Sequence, residues 1–171
     1  ARLAFAAIPQ EELTNAGALT SILLMFVGGS PVGTAGGIKT TTLVVLCVTA
    51  YCTITGRRQI GLFHRSLSAA TTRKAVAVVG MSLTVLLGST LLLSLVTDAA
   101  FLDILYETTS ATATVGLTRG LTPHLNVWGK LIIIATMYFG RIGPISLAIA
   151  LGSRKEERNS VKDPTEEISV G

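Results

Sequence analysis

Five consecutive residues, Thr114-Val115-Gly116-Leu117-Thr118, carry the most specific chemistry in this chain. None is charged, so a ligand held here must be met by backbone oxygens. Gly116 permits a backbone geometry closed to other residues, and β-branched Val115 holds its neighbours extended. The threonine hydroxyl adds one more oxygen. The carbonyls of Thr114, Val115 and Gly116 are therefore candidate ligands for a dehydrated cation. A second stretch, Gly28-Gly29-Ser30-Pro31-Val32-Gly33-Thr34-Ala35-Gly36-Gly37-Ile38-Lys39, superficially suggests a phosphate loop. Ile38 stands where that motif needs a glycine before its lysine, and no strand precedes it, so nucleotide chemistry is set aside. Freed carbonyls, hydroxyls and glycine hinges suit a gate instead, with Gly33, Thr34, Ala35, Gly36 and Gly37 as its loop. Two cations stand out in apolar surroundings, Arg141 and Lys39.

These residues need elements to position them, and the elements are apolar runs. Ala75–Thr97 is 23 residues without a charge, and Leu131–Ser153 contains only Arg141. A bilayer core of about 30 Å needs about 20 such residues in a helix. Ala16–Thr55 contains only Lys39, but as one helix it would reach about 60 Å. Glycine costs about 1 kcal/mol and proline about 3 in a helix interior, so the cluster at 28–37 interrupts it. The expectation is three crossings, the first broken by an intramembrane loop. Connector 56–74 holds five Lys/Arg and no acid, which predicts a cytoplasmic location and places the tail 154–171 on the same side. Its basic cluster serves orientation and lipid headgroups, with partner docking the other reading.

Between the last two crossings, 33 residues remain. Phe101–Ala113 has helical spacing and leads into 114–118, followed by the turn formers Arg119-Gly120-Leu121-Thr122-Pro123. This is a membrane–pore-helix–membrane pattern. Irregular backbone survives at membrane depth only where protein buries it or water lines it, and a potassium filter meets that condition with carbonyl oxygens that replace the ion's hydration shell. Asp98, Asp103 and Glu107 flank this helix, opposed by Arg119 and Lys130, and read as solvated headgroup-level residues, with concentration of cations at the mouth the other reading. Arg141, near mid-bilayer, must face protein or water. It is either a structural arginine bonded to freed carbonyls or a positive barrier in a cation pathway. Lys39 either snorkels or takes part in gating.

Composition excludes other classes. The chain has 171 residues, with 49% apolar, 14% charged and net charge +4. An ordinary soluble domain has about a quarter charged residues, and the few basic ones here lie in short stretches between apolar runs, so the charge is topological and no nucleic acid is expected. Cys47 and Cys52 read as packing residues, and His64 and His124 receive no site. No carboxylate pair, Ser/His couple or Cys/His ligand set lies at shared depth, so no enzyme is expected. The reading is an all-α membrane protein.

The stretches MFVGGSPVGTAGGIKTTT, ATATVGLTRGLTP and GKLIIIATMYFGRIGP resemble the last third of the ion-conducting membrane subunit of bacterial Ktr/Trk potassium uptake systems. The resemblance implies four membrane–pore–membrane repeats around one pore in the inner membrane. It assigns 1–15 to a remnant of the third pore loop and 16–55 to the broken second helix of repeat three. Repeat four becomes 75–153, with pore helix 101–113 and filter 114–118. It implies that Gly116 is the filter glycine, that 33–37 is the gating loop and that Arg141 pairs with that loop. Ala1-Arg2-Leu3-Ala4-Phe5 lacks the threonine and glycine of the family's third filter. The residues 164–171 resemble the family's natural ending, so the expected truncation is at the front, with the N-terminal repeats missing.

The implied transported ion is potassium, with sodium the other candidate, and no cofactor is covalently bound. Implied partners are the lipid bilayer, the missing repeats, a second copy in a homodimer and a cytoplasmic ring of nucleotide-binding regulatory subunits. ATP or ADP would enter only through that ring. Two other functions compete: a tetrameric two-helix potassium channel built from 75–153, and a non-conducting remnant that serves as an interaction subunit.

Overall fold

The computed structural model describes residues 9–29, 36–55, 61–62, 65–66 and 69–142. Residues 1–8, Gly33–Ala35 of the expected gate, 143–153 of the last expected crossing and the tail 154–171 lie outside them. The described fold is α-helical, with one two-residue antiparallel pair, β1 (Gly61–Leu62) and β2 (Arg65–Ser66), in the connector. In chain order, a 3-10 turn at Gln10–Glu12 precedes α1 (Asn15–Phe26), α2 (Thr40–Ile54), α3 (Ala69–Val96), α4 (Phe101–Thr112), α5 (Leu121–His124) and α6 (Val127–Ile142).

Glycine and proline decide where the first apolar run stops being helical. Helix α1 ends at Phe26, and Val27 forms a parallel bridge with Ile38. The Gly28 amide donates to the Ile38 carbonyl, and Ile38 returns a bond to Phe26 at 3.1 Å. The chain thus leaves α1, closes a loop on itself and enters α2 with its local direction unchanged. Elsewhere, caps fix the starts of helices. The Thr14 hydroxyl accepts from the Gly17 amide at 3.2 Å ahead of α1, and the Asn126 side-chain oxygen Oδ1 accepts from the Gly129 amide at 2.7 Å ahead of α6. Both satisfy amides that a helix start leaves unpaired.

Helix α4 lies at the centre, packed by α1, α3 and α6. One apolar cluster joins α1 to the end of α4 through Ala18, Ile22, Met25, Tyr106, Ala113 and Val115. Another joins Leu93 of α3 and Ile133 of α6 to Ile104 and Ala111. The distribution of polarity is the reverse of a water-soluble fold. Buried positions include Ser89, Thr90, Glu107, Thr108, Thr109, Ser110, Thr112 and Thr136, whereas Leu83, Leu87, Leu91 and Leu95 form an exposed stripe at four-residue spacing along α3. The buried hydroxyls stay satisfied by bonding back to their own helix, as in Thr112 to Thr108 at 2.8 Å, and Thr90 meets Thr108 across α3 and α4 at 2.8 Å. Such a surface suits a hydrocarbon surround.

Thr71–Val96 is, among the described residues, the one helix long and apolar enough to cross a membrane by length and composition. Helix α3 begins six residues before the expected Ala75, because Arg73 and Lys74 limit the apolar span without breaking the helix. At the other end, α6 begins at Val127 rather than Leu131, where the Asn126 cap starts it.

Helices α4 and α6 approach closely at Gly140, where an added Cβ would collide with the Thr112 carbonyl. Gly140→Ala should therefore destabilise by about 1–3 kcal/mol through overpacking. Gly88→Ala on α3, with nothing within 4 Å, should instead gain up to about 1 kcal/mol of helix propensity. Thermal unfolding in detergent checks the pair, and melting shifts of the same sign would contradict the close α4–α6 contact.

Candidate functional site

The stretch after α4 doubles back along the helix it has just left. The Thr114 amide donates to Ala111 at 3.1 Å and the Val115 amide to the Ser110 carbonyl at 2.9 Å. The Leu117 amide then donates to the Ser110 hydroxyl at 2.9 Å. Each of these peptides is trans, so its carbonyl points opposite to its amide. With the amides of Val115 and Leu117 turned onto α4, the carbonyls of Thr114 and Gly116 are turned away from it. Positive φ at Thr114 (55°) and Gly116 (83°) makes this path possible. An ordinary extended strand alternates its carbonyls from side to side. At Gly116 the left-handed backbone demands glycine, although an added Cβ would meet nothing within 4 Å. Val115 anchors the stretch by burying its side chain against Ala18, Ile22 and Met25.

The stretch borders a cleft of about 510 Å³, lined by Ser110, Thr114, Val115, Gly116, Tyr138 and Arg141 among others. Arg141 sits in the last described turn of α6. The returning end of the α1–α2 loop also reaches this stretch. The Gly36 amide donates to the Thr114 hydroxyl at 3.0 Å. A Cβ on Gly36 would lie 2.9 Å from that same oxygen and 3.1 Å from the Ala113 carbonyl carbon, so the approach requires glycine. Gly37 follows with φ 74°, also left-handed. Thr114 is therefore the meeting point of the loop, the doubled-back stretch and the Arg141 cleft.

Not every expected site residue gathers here. Lys39 caps α2 with an exposed side chain and lies outside the residues lining the cleft. Leu117 packs against the α1–α4 core, and Thr118 turns its hydroxyl to Glu107.

The acids correct the sequence reading. Glu107 is not a solvated headgroup-level residue: it is only 5% exposed, and both carboxylate oxygens accept threonine hydroxyls. Asp103 pairs with Arg119 at 3.0 Å. Arg119 also donates to the carbonyls of Gln10 at 3.3 Å and Leu13 at 3.4 Å, while the Tyr106 hydroxyl donates to the Gln10 side chain at 2.7 Å. The segment before α1 is thus clasped to the far end of the doubled-back stretch. One signal could have exposed Glu107. A carboxylate three residues before Ser110 shares its helix face, the face to which the returning chain must bind.

A family model described as "TrkH: Cation transport protein" matches residues 3–162. The "Ktr system potassium uptake protein B" of Bacillus subtilis is 38% identical over 151 residues, covering 88% of this chain and 34% of that protein. The protein of the same description from Vibrio alginolyticus is 34% identical, covering 98% of this chain and 36% of its own length. The "Potassium/sodium uptake protein NtpJ" of Enterococcus hirae is 34% identical, covering 94% of this chain and 37% of that protein. The chain therefore spans about a third of the length of these relatives.

Thr114→Val keeps the branched shape but removes the acceptor for Gly36. Hydrogen exchange at the Gly36 amide should accelerate about 2- to 10-fold, the equivalent of one neutral hydrogen bond. Unchanged exchange would mean that another contact holds the loop.

Proposed function

The chain belongs to the TrkH cation transport protein family, and we propose from that premise that it supplies one selectivity element and the gate of a membrane potassium uptake pore. The family consists of transporters, not enzymes. The observation that carries the reading is the commitment of the Val115 and Leu117 amides to Ser110. It leaves the carbonyls of Thr114 and Gly116 free to replace water around a potassium ion. Sodium is the other candidate cargo, as in the name of the Enterococcus relative.

In this mechanism the ion sheds its hydration shell against the Thr114, Val115 and Gly116 carbonyls. Equivalent segments from the part of the transporter that this chain does not match complete the ring. Residues 33–37 form the gating loop beneath the filter, and the Gly36–Thr114 bond of 3.0 Å supports that assignment. Arg141, in the same cleft, opposes a passing cation by like-charge repulsion, which is strongest where water is scarce. Lys39 adds positive charge at the loop's return. Connector 56–74 and tail 154–171 face the cytoplasm, where a homodimer rests on a nucleotide-binding regulatory ring.

The Gly36–Thr114 bond also weighs against a separate two-helix channel made from 75–153. Such a channel would omit the segment that donates to its own filter residue. A non-conducting remnant would have no use for a left-handed glycine beside free carbonyls.

Two variants of the full-length transporter test the reading by ion uptake in bacteria lacking other potassium systems. At Gly116 there is room for a side chain, but a non-glycine residue with φ 83° is strained by about 1–2 kcal/mol. Gly116→Ser should therefore relax potassium-over-sodium selectivity about 5- to 30-fold on that strain; unchanged ion preference counts against the filter. Arg141→Ala should raise flux at equal membrane abundance, and equal or lower flux counts against the barrier.

A further inference from the structure

Glu107 is a buried carboxylate that the transport mechanism above does not use. It lies on α4, one helical turn before Ser110, and is 5% exposed. Its Oε2 accepts the Thr118 hydroxyl at 2.7 Å and its Oε1 accepts the Thr122 hydroxyl. The two hydroxyl oxygens lie 3.0 Å apart, and the Gly120 amide donates to Thr118 at 3.2 Å. The doubled-back chain thus hangs from α4 at three points on one helix face, Ser110, Glu107 and, through Arg119 at 3.0 Å, Asp103. Ser110 holds Val115 and Leu117, and Glu107 holds Thr118 and, beyond the turn, Thr122.

We propose that Glu107 is a positioning residue for ion selectivity, which clamps the outer end of the 114–118 stretch through the Thr118 and Thr122 hydroxyls. The proposal rests on the filter reading of Thr114–Gly116. Ser110 holds the two peptides that carry the Thr114 and Gly116 carbonyls, whereas Glu107 holds the residues that follow them. A ring of oxygens discriminates between ions of different size only if its diameter is held, and the attachment at Glu107 helps to hold it. The clamp also has an electrostatic effect. By taking the hydrogens of both hydroxyls, the carboxylate leaves the Thr118 oxygen to act as an acceptor, which the Gly120 amide uses at 3.2 Å. A carboxylate is suited to this task because each of its oxygens is an acceptor, whereas an amide has only one. Glutamine at 107 keeps one acceptor oxygen, so one of the two threonine hydroxyls loses its acceptor.

The test uses the full-length transporter in membranes, with potassium and sodium uptake measured in parallel and normalised to protein abundance. Glu107→Gln should lower the potassium-to-sodium ratio by on the order of tenfold, the scale of one hydrogen bond to a charged group. Thr122→Val, which removes one donor and leaves the carboxylate, should lower it in the same direction. Thr122→Ser, which keeps the donor, should restore it toward the original. Combining Glu107→Gln with Thr122→Val should be no worse than Glu107→Gln alone, because both break one contact. A loss of total flux with an unchanged ratio would reduce Glu107 to a folding role and overturn the proposal. If Glu107→Gln fails to insert, the Thr122 pair decides on the same criterion. Gly116→Ser in the same assay separates the two levels. A ratio that falls for Gly116→Ser but holds for the clamp variants overturns the clamp alone. A ratio that holds for Gly116→Ser overturns the filter beneath it.

Discussion

The arrangement depends on where five residues of irregular backbone send their amides. In an apolar surround an unpaired amide costs several kcal/mol, so the stretch after α4 must find acceptors without forming a helix or a sheet. Ser110 provides two, its carbonyl for Val115 at 2.9 Å and its hydroxyl for Leu117 at 2.9 Å. Because peptide geometry ties each carbonyl to the opposite side of its amide, satisfying the donors on α4 leaves oxygens on the far side. A structural requirement, the pairing of buried amides, thereby produces an electronegative surface. The same logic explains why α4 is buried almost throughout and carries so many hydroxyls. Threonines that bond back to their own helix can be packed on every side without an orphaned polar atom.

The all-α class was legible in the sequence because long apolar runs with sparse charges are unambiguous. The interruption between α1 and α2 was legible too, since two adjacent glycine pairs and a proline cannot be carried inside a helix. So was the end of α4 just before Thr-Val-Gly, where the backbone turns left-handed at Thr114 and Gly116. What escaped was partnership at long range. Arg119 finds carbonyls more than a hundred positions earlier, at Gln10 and Leu13. No periodicity predicts that contact. Glu107 was misread for a related reason. A charge in a short helix between membrane segments has two homes, the headgroup layer or a buried network, and only the folded path of Thr118 and Thr122 chooses between them. Helix ends escaped by smaller margins, as at α3, where Arg73 and Lys74 extend the helix past the apolar span.

Gly140 and Arg141 join packing to electrostatics. The absent side chain at Gly140 lets the α6 backbone lie against the Thr112 carbonyl, at the C-terminal end of α4. That end carries the negative pole of the helix dipole, which favours a positive charge within about one turn. The next residue is Arg141, which lines the cleft with Thr114 and Gly116. The field that would welcome a potassium ion is thus the same field that welcomes a guanidinium. Under the proposed function the two compete for one electronegative region, with the arginine tethered and the ion free. A barrier built this way needs no large movement to open. Shifting Arg141 within the cleft, or withdrawing the Gly36 loop from Thr114, changes the balance between tethered and mobile charge. The glycines at 36 and 140 are what bring both devices close enough to Thr114 for that balance to matter.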